Sequence, residues 1–501
     1  MDTRGLSTHV RARLTAQPPV LYFVVALGAA LRLYGLGAES FWIDEYSSLA
    51  YVTSRTTFEV AREVPLVDPH PPLYYLLLDI WTSLVGVSEP AVRLLSALFG
   101  IAAIPLLYAL GAELYDRQVG VFAAGVLAFS RFHVSHSQNV RMYSLLVFAT
   151  VCSMLFLVRL RTAPTRRAAV GYVAASVALL YTHAFGALVL VAQHCYVLGS
   201  RFVRTGGTWA VDPRRWLGVQ LAVAVLAVPW AIDMGRQALA LLTPGGGSGA
   251  VAWGWIPEPT PIRLVSAVGA YVTPSFEDGF GGFLVLVVIG LLALGSQRRV
   301  SLDRERTLLL ACWIGIPVVA LFVVSSLVVP LFIPRYTIAA MPAVALFVAK
   351  EIRRVGTVEI RYISVVLLVV ALVAGLPGYY QTSQNTEWDD AAAVVTDGAD
   401  GDDVVLVHRG YFAGLVAQYV HRDRPTVPVE RVSVATPVES VRQTVRSHDG
   451  DVWLAMSSST ARNRTEIRAV LARSGRHVRT ERAFDDVTVT HYVTNDTGGT
   501  Q

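Results

Sequence analysis

Asp44 and Glu45 stand side by side in Phe41-Trp42-Ile43-Asp44-Glu45-Tyr46, directly after the first long apolar run. Carboxylates at that place can take a proton, and ionisable groups at the edge of an apolar run are costly to keep unless they serve a site. The chain continues to Asp68-Pro69-His70-Pro71-Pro72-Leu73-Tyr74-Tyr75. The prolines hold the backbone at His70 extended or turned, and Asp68 is placed to orient the imidazole. Further on, Ser135-His136-Ser137-Gln138-Asn139-Val140-Arg141-Met142-Tyr143 offers Arg141 and Tyr143, a pair suited to gripping a phosphate or sugar hydroxyls. Arg93, His183 and Arg335-Tyr336 each fall at the end of another apolar run. Proton abstraction beside anion binding is the chemistry these residue types support together.

The elements that must position them are membrane spans. A chain of 501 residues with 53% hydrophobic and 16% charged content cannot form an ordinary soluble fold throughout. Apolar runs at 18–36, 91–113, 119–136, 144–160, 168–182, 184–200, 216–234, 283–297, 307–328, 331–349 and 361–378 read as about eleven transmembrane helices. The run at 72–87 carries Asp79 and is too short for a span, so it reads as an interfacial helix inside a first outer loop, 37–90. With that assignment the arginine clusters at 4–13, 159–167, 201–215, 298–306 and 350–361 all fall on one side, which the positive-inside rule makes cytoplasmic. The amino terminus is then inside and the carboxy terminus outside. Asp44, Glu45, Asp68, His70, Arg93, Arg141, Tyr143, His183, Arg335 and Tyr336 share the outer face. Arginines at helix mouths on that face run against the charge trend, which favours an anion as their partner.

Residues 1–378 form the membrane domain and 379–501 a small extracytoplasmic α/β domain. In the latter, strand-like stretches at 403–408 and 451–456 alternate with helix-like segments at 387–395, 413–420, 438–447 and 461–474. Acidic residues outnumber arginines there, so nucleic acid is not an expected partner. Cys152, Cys195 and Cys312 all lie in spans, which indicates neither a disulfide framework nor a cysteine metal site. The glycine run within 243–261 lacks the lysine and the strand-to-helix setting of a nucleotide loop, and reads as an outer loop able to gate an acceptor.

Leu31-Arg32-Leu33-Tyr34, Phe41-Trp42-Ile43-Asp44-Glu45, His70-Pro71-Pro72-Leu73-Tyr74, Arg141-Met142-Tyr143-Ser144-Leu145-Leu146, Tyr181-Thr182-His183 and Pro334-Arg335-Tyr336 together resemble the GT-C membrane glycosyltransferases. The branch most similar contains the dolichyl-phosphate-mannose protein mannosyltransferases and the lipid A aminoarabinose transferases. The resemblance covers about residues 18–378. It implies an enzyme that takes a sugar from a polyprenyl- or dolichyl-phosphate carrier and passes it to a glycan or protein acceptor at the outer face. It also implies that Asp44, with Glu45 beside it, is the catalytic base. Many relatives place a second acidic residue in the second outer loop. This chain has Arg141-Met142-Tyr143 there, so no cofactor is required by the motifs and a divalent cation stays open.

The residues support the same chemistry. A lipid phosphate is already a good leaving group and needs charge neutralisation rather than a proton, so one base plus cationic donors suffices. In-line attack would invert the anomeric centre; the cargo that the resemblance implies is a hexose, mannose first. A secondary transporter or flippase would place its charges at mid-membrane, often in two similar halves, and the sequence has neither. A non-enzymatic scaffold with a binding ectodomain would have no use for the acidic pair.

Overall fold

The computed structural model describes residues 18–68, 70–242, 256–273, 287, 303–433, 436–457, 461–484 and 487–494. The chain divides into two compact units: Met1–Leu36 with Ser48–Gln381, and Gly37–Ser47 with Thr382–Gln501. Most of the expected first outer loop thus stays with the helical unit, while its opening residues, including Asp44 and Glu45, group with the carboxy-terminal unit.

The helical unit begins with α1 (Pro19–Leu33), continues from α2 (Ile43–Thr53), and adds α3 (Thr57–Val67), α4 (Leu73–Val85), α5 (Glu89–Leu114), α6 (Arg117–Phe129), α7 (Arg131–Ser137), α8 (Tyr143–Thr162), α9 (Arg166–Thr182) and α10 (Gly186–Val203). After these come α11 (Pro213–Leu242), α12 (Pro261–Gly269), α13 (Arg304–Gly315), α14 (Leu321–Leu327), a 3₁₀ turn over Pro334–Ala340, α15 (Met341–Arg354) and α16 (Val358–Gln381). Among the described residues, six helical stretches are long and apolar enough to cross a membrane: 89–114, 143–162, 186–203, 213–236, 304–327 and 358–381. Of these α8 is the most enclosed, packed against α5 and α9. Helices α5 and α6 pack tightly because Gly111 faces Gly120, where an added Cβ would come within 2.8 Å of the opposing backbone.

Several spans expected as single runs are broken. The apolar run 119–136 becomes α6 and α7, divided at Ser130, whose hydroxyl accepts the His133 N–H and caps α7. Serine offers the backbone this alternative to a continuous helix. The carbonyls of Leu127 and Ala128 freed by the break accept from the buried Arg32 guanidinium at 2.9 and 3.0 Å. The run 331–349 likewise opens as a 3₁₀ turn before α15. The expected span 283–297 and the glycine run at 243–255 lie outside the described residues, except Val287.

The other unit carries α17 (Trp388–Gly398), β1 (Val404–His408), α18 (Ala413–Asp423), β2 (Val429–Val432), α19 (Pro437–Ser447), β3 (Val452–Ser457), α20 (Ala461–Arg473), β4 (Arg476–Ala483) and β5 (Val487–Thr494). Its five-stranded sheet has the order β2-β1-β3-β5-β4, with β1 parallel to β2 and β3, and β5 antiparallel to β3 and β4. Leu406, Val441, Leu454, Ile467, Leu471 and Tyr492 fill its core. Residues 37–47 join it through Glu39, which accepts the backbone N–H groups of Gln384 and Asn385, and through Phe41, whose N–H donates to the Tyr419 hydroxyl at 2.7 Å.

Candidate functional site

Within the helical unit the loop before α4, the loop 138–142, the start of α8, the end of α9 and the 3₁₀ turn at 334–340 bring together six of the expected residues: Asp68, His70, Arg141, Tyr143, His183 and Tyr336. The Asp68 carboxylate accepts the His70 backbone N–H at 2.9 Å and the ring Nδ1 at 2.5 Å. Burial alone would raise the Asp68 pKa, but His70 and Arg141 more than offset it and hold the carboxyl at about 2. An ionised carboxylate has no proton to give, so Nδ1 of His70 is the donor and Nε2 faces the remainder of the site. Tyr75, on α4, adds a hydroxyl donor to Asp68.

Arg141 lies against the same ring, its Nη2 3.3 Å from Nδ1 and 3.5 Å from Nε2 of His70. Its Nη1 donates to the Ser48 hydroxyl at 3.1 Å. The loop that carries it is pinned by a short relay: Ser96 Oγ donates to the Arg141 carbonyl at 3.1 Å and meets the Tyr74 hydroxyl at 2.8 Å. Tyr143 opens α8 and packs its ring against His183 and His136. A positive helix end therefore begins beside the guanidinium.

His183 caps α9 and turns the chain into α10. Its Nδ1 accepts the Phe185 N–H at 3.1 Å, which leaves the proton on Nε2. That Nε2 is buried and has no hydrogen-bond partner. Burial, then the neighbouring His70 and Arg141 charges, push the His183 pKa well below its ordinary value, so the ring stays neutral. Rings of His70, Tyr143, Phe185 and Tyr336 surround it, with centroids 5.2 to 5.9 Å away. Arg335 sits over the Tyr336 ring and adds its field to His183. A buried N–H donor framed by aromatic faces and cations can receive an oxygen anion or a sugar hydroxyl.

Arg93 is held differently: it donates to the Leu36 carbonyl at 2.9 Å and so steadies the chain just after α1. Gln138 does the same for α1 itself, donating to the carbonyls of Leu31, Arg32 and Tyr34 and accepting from Tyr379. Gln138, a hydrogen-bonding residue of the expected second outer loop, thus serves α1, while sequence reasoning missed Ser48 and Ser96, whose types carry no signal without the fold.

Asp44 and Glu45 occupy the first turn of α2, where the helix dipole favours negative charge. They are not alike. Glu45 is fully buried and its carboxylate accepts the Trp42 N–H at 3.3 Å, the backward half of a capping box, whereas Asp44 is partly exposed. This gives Glu45 a structural task in the turn that carries both carboxylates.

The helical cluster does not suit a divalent cation. One oxygen of Asp68 is taken by His70, and the Arg141 guanidinium already supplies positive charge against the ring. Among the described residues, Asp403, Asp451 and His491 in the sheet unit have ligand atoms within 4.8 Å of one another. Their atoms are engaged internally. Asp403 accepts from the N–H groups of Asp400 and Asp451 and from Trp453 Nε1 at 3.0 to 3.1 Å, and Asp451 accepts from His491 Nε2 at 3.0 Å and Thr494 N–H at 3.2 Å.

Six helical stretches of membrane length among the described residues, with a small five-stranded sheet after them in the chain, define a polytopic membrane protein. Residues 69–232 match the family described as dolichyl-phosphate-mannose-protein mannosyltransferase. ArnT from Cupriavidus metallidurans bound to undecaprenyl phosphate superimposes with a TM-score of 0.62 at 13% identity, covering 96% of this chain and 99% of that one. The Archaeoglobus fulgidus oligosaccharyltransferase in complex with Zn and sulfate gives a TM-score of 0.51 at 11% identity, covering 90% of this chain and 69% of that one. No curated protein matches the sequence. The resemblance carried by the motifs thus agrees with the family model over residues 69–232 and with the fold shared with these membrane proteins.

Proposed function

We propose that the protein transfers a sugar from a polyprenyl or dolichyl monophosphate carrier to a glycan or protein acceptor at the extracytoplasmic face, with a hexose, mannose first, as the cargo. The observation that carries this reading is the buried cluster of Arg141, His70 and the unpartnered Nε2–H of His183 at the helix ends, cationic and donor-rich. A phosphate on a lipid carrier is confined to that depth, because its chain remains among the helices and its charge must stay at the interface.

In this reaction the acceptor hydroxyl gives its proton to the Asp44 carboxylate, its oxygen bonds to the anomeric carbon, and the bond from that carbon to phosphate breaks. The lipid phosphate leaves with an additional negative charge. Arg141 and His183 Nε2–H meet that charge as it develops, with Arg335 and Tyr336 alongside, and Asp68 fixes the His70 ring. Asp44 takes the role of base from its place in the sequence, and Glu45 holds the turn that carries it. The reaction inverts the anomeric centre because a single in-line displacement occurs.

Asp44→Asn tests the reading: membrane insertion at wild-type level with sugar transfer lost supports it, whereas full transfer by the variant removes it. The surface glycans of a deletion strain identify the cargo. A missing residue other than a hexose would replace mannose while leaving the mechanism intact.

A further inference from the structure

Three helices of the helical unit, α1, α6 and α16, begin around one groove. Its volume is about 450 Å³, and its lining includes Val20, Arg117, Val121, Phe122, Arg361 and Val365. The first turns of all three helices contribute: Pro18 and Val20 for α1, Arg117 and Gln118 for α6, Val358 and Arg361 for α16. Deeper along α6 and α16 the walls are apolar, and among the described residues no aspartate or glutamate lines the groove. Of the acids at these helix starts, Asp116, the cap of α6, accepts the Val119 N–H at 2.9 Å and pairs with Arg353 at 3.1 Å, and Glu359 in the first turn of α16 is exposed and does not line the groove.

The groove is far from the candidate site. The last carbonyls of α1 and the Tyr379 hydroxyl near the end of α16 meet at Gln138, beside the loop that carries Arg141. The groove lies at the opposite ends of those helices, about 30 Å away along an α16 of this length. That is also the end where Arg159, Arg161, Arg353 and Arg354 gather. Orientation by positive charge makes it the cytoplasmic end, where the leaflet is rich in anionic lipid.

The geometry points to a site for one anionic phospholipid, with its phosphate on Arg117 and Arg361 and an acyl chain along Val20, Val121, Phe122 and Val365. The two chemistries of the groove match the two parts of such a molecule. Guanidinium groups and positive helix ends select a phosphate with net negative charge, and the apolar wall excludes a small soluble anion in favour of one with a chain attached. Val20, Val358 and Tyr362 are 49%, 52% and 68% exposed, so the groove opens sideways toward surrounding lipid. This site is independent of the proposed transfer reaction and would serve to anchor the bundle in one leaflet.

The test is native mass spectrometry of the full chain in detergent after incubation with phosphatidylglycerol, with phosphatidylcholine of the same acyl chains, or with inorganic phosphate. Wild-type protein should retain one phosphatidylglycerol that survives activation and is not displaced by inorganic phosphate. Each arginine near the surface is worth about a fivefold change in affinity, so the double variant Arg117→Gln/Arg361→Gln should lose about 25-fold. Arg361 also donates to the Val355 carbonyl, so Arg117→Gln alone serves as the milder variant, with an expected loss of about fivefold. Arg141→Leu should keep this lipid, which separates it from any lipid phosphate at the candidate site. Equal retention of phosphatidylcholine, displacement by inorganic phosphate, or unchanged phosphatidylglycerol on Arg117→Gln and on the double variant would each overturn the assignment.

Discussion

Two clusters of the same residue types lie in the two units, and they differ in what their polar atoms face. In the sheet unit, Asp403, Asp451 and His491 are joined to one another and to Trp453 and Thr494, and the His491 ring stacks on Trp453 at 3.8 Å. In the helical unit, Asp68, His70, Arg141 and His183 begin the same way, with a carboxylate on an imidazole, yet end in a buried Nε2–H that meets no acceptor. The first arrangement ties neighbouring strands together, because Asp403 and Asp451 directly precede β1 and β3 while His491 lies on β5. The second holds donors ready for something else. Satisfaction of hydrogen-bonding capacity, rather than residue type, separates a staple from a site.

The largest effect that could break this contrast is at Arg141. Replacing it with leucine removes a charge-assisted donor from the departing phosphate and should lower transfer by about a thousandfold, measured as sugar released from the lipid carrier in membranes. Arg141→Lys should recover part of the loss, since charge returns without the planar fork. Transfer unchanged in Arg141→Leu would place the site elsewhere. Next in size is Asp403→Ala, which strands the N–H groups of Asp400, Asp451 and Trp453. It should destabilise the sheet unit by about 3 kcal/mol in chemical denaturation followed by tryptophan fluorescence. The rate per folded molecule should not change, and a specific loss of transfer would mean that the staple is a site after all.

His183→Phe sharpens the comparison further. The ring shape is kept and a buried, unpartnered N–H is removed, but the Phe185 N–H also loses its acceptor, so stability should change by no more than about 2 kcal/mol while transfer falls by about a hundredfold. A fall in stability with unaltered transfer would make His183 a structural cap and nothing more.

How much of this was legible in the sequence differs between the same two regions. The apolar runs foretold most helices of the bundle, and the His-Pro-Pro turn, Arg141 and His183 were legible because ionisable residues at the ends of apolar runs are conspicuous. The break at Ser130 was not, because it depends on Arg32 reaching the Leu127 and Ala128 carbonyls from a helix almost a hundred positions earlier. Nor could sequence divide the labour between Asp44 and Glu45, which rests on the backward hydrogen bond to Trp42. In the sheet unit β1 and β3 coincide with the strand-like stretches 403–408 and 451–456. β2 and β4 were missed because Val429–Val432 is short, while Arg476–Ala483 is almost wholly exposed and charged along an edge. The Val-Thr alternation of β5 did carry a period-two signal, and it was the one overlooked clue.

The smallest predicted effect tests the part that the two clusters share, the carboxylate on the imidazole. Asp68 is held at about 2 against an ordinary value of 3.8, so its contribution to stability is complete above roughly pH 4 and is lost as the pH falls through 2. The depressed value corresponds to a contribution of the order of 2 kcal/mol, most of it from contacts with His70 and Arg141 rather than from solvent. Asp68→Asn has no such titration. The gap in unfolding free energy between wild type and variant should therefore be constant between pH 4 and 6 and close as the pH is lowered toward 2, in detergent and at fixed ionic strength. A gap that stayed open at pH 2 would show that the carboxylate acts through packing alone, and the charge linking His70 to Arg141 would then have to come from elsewhere in the cluster.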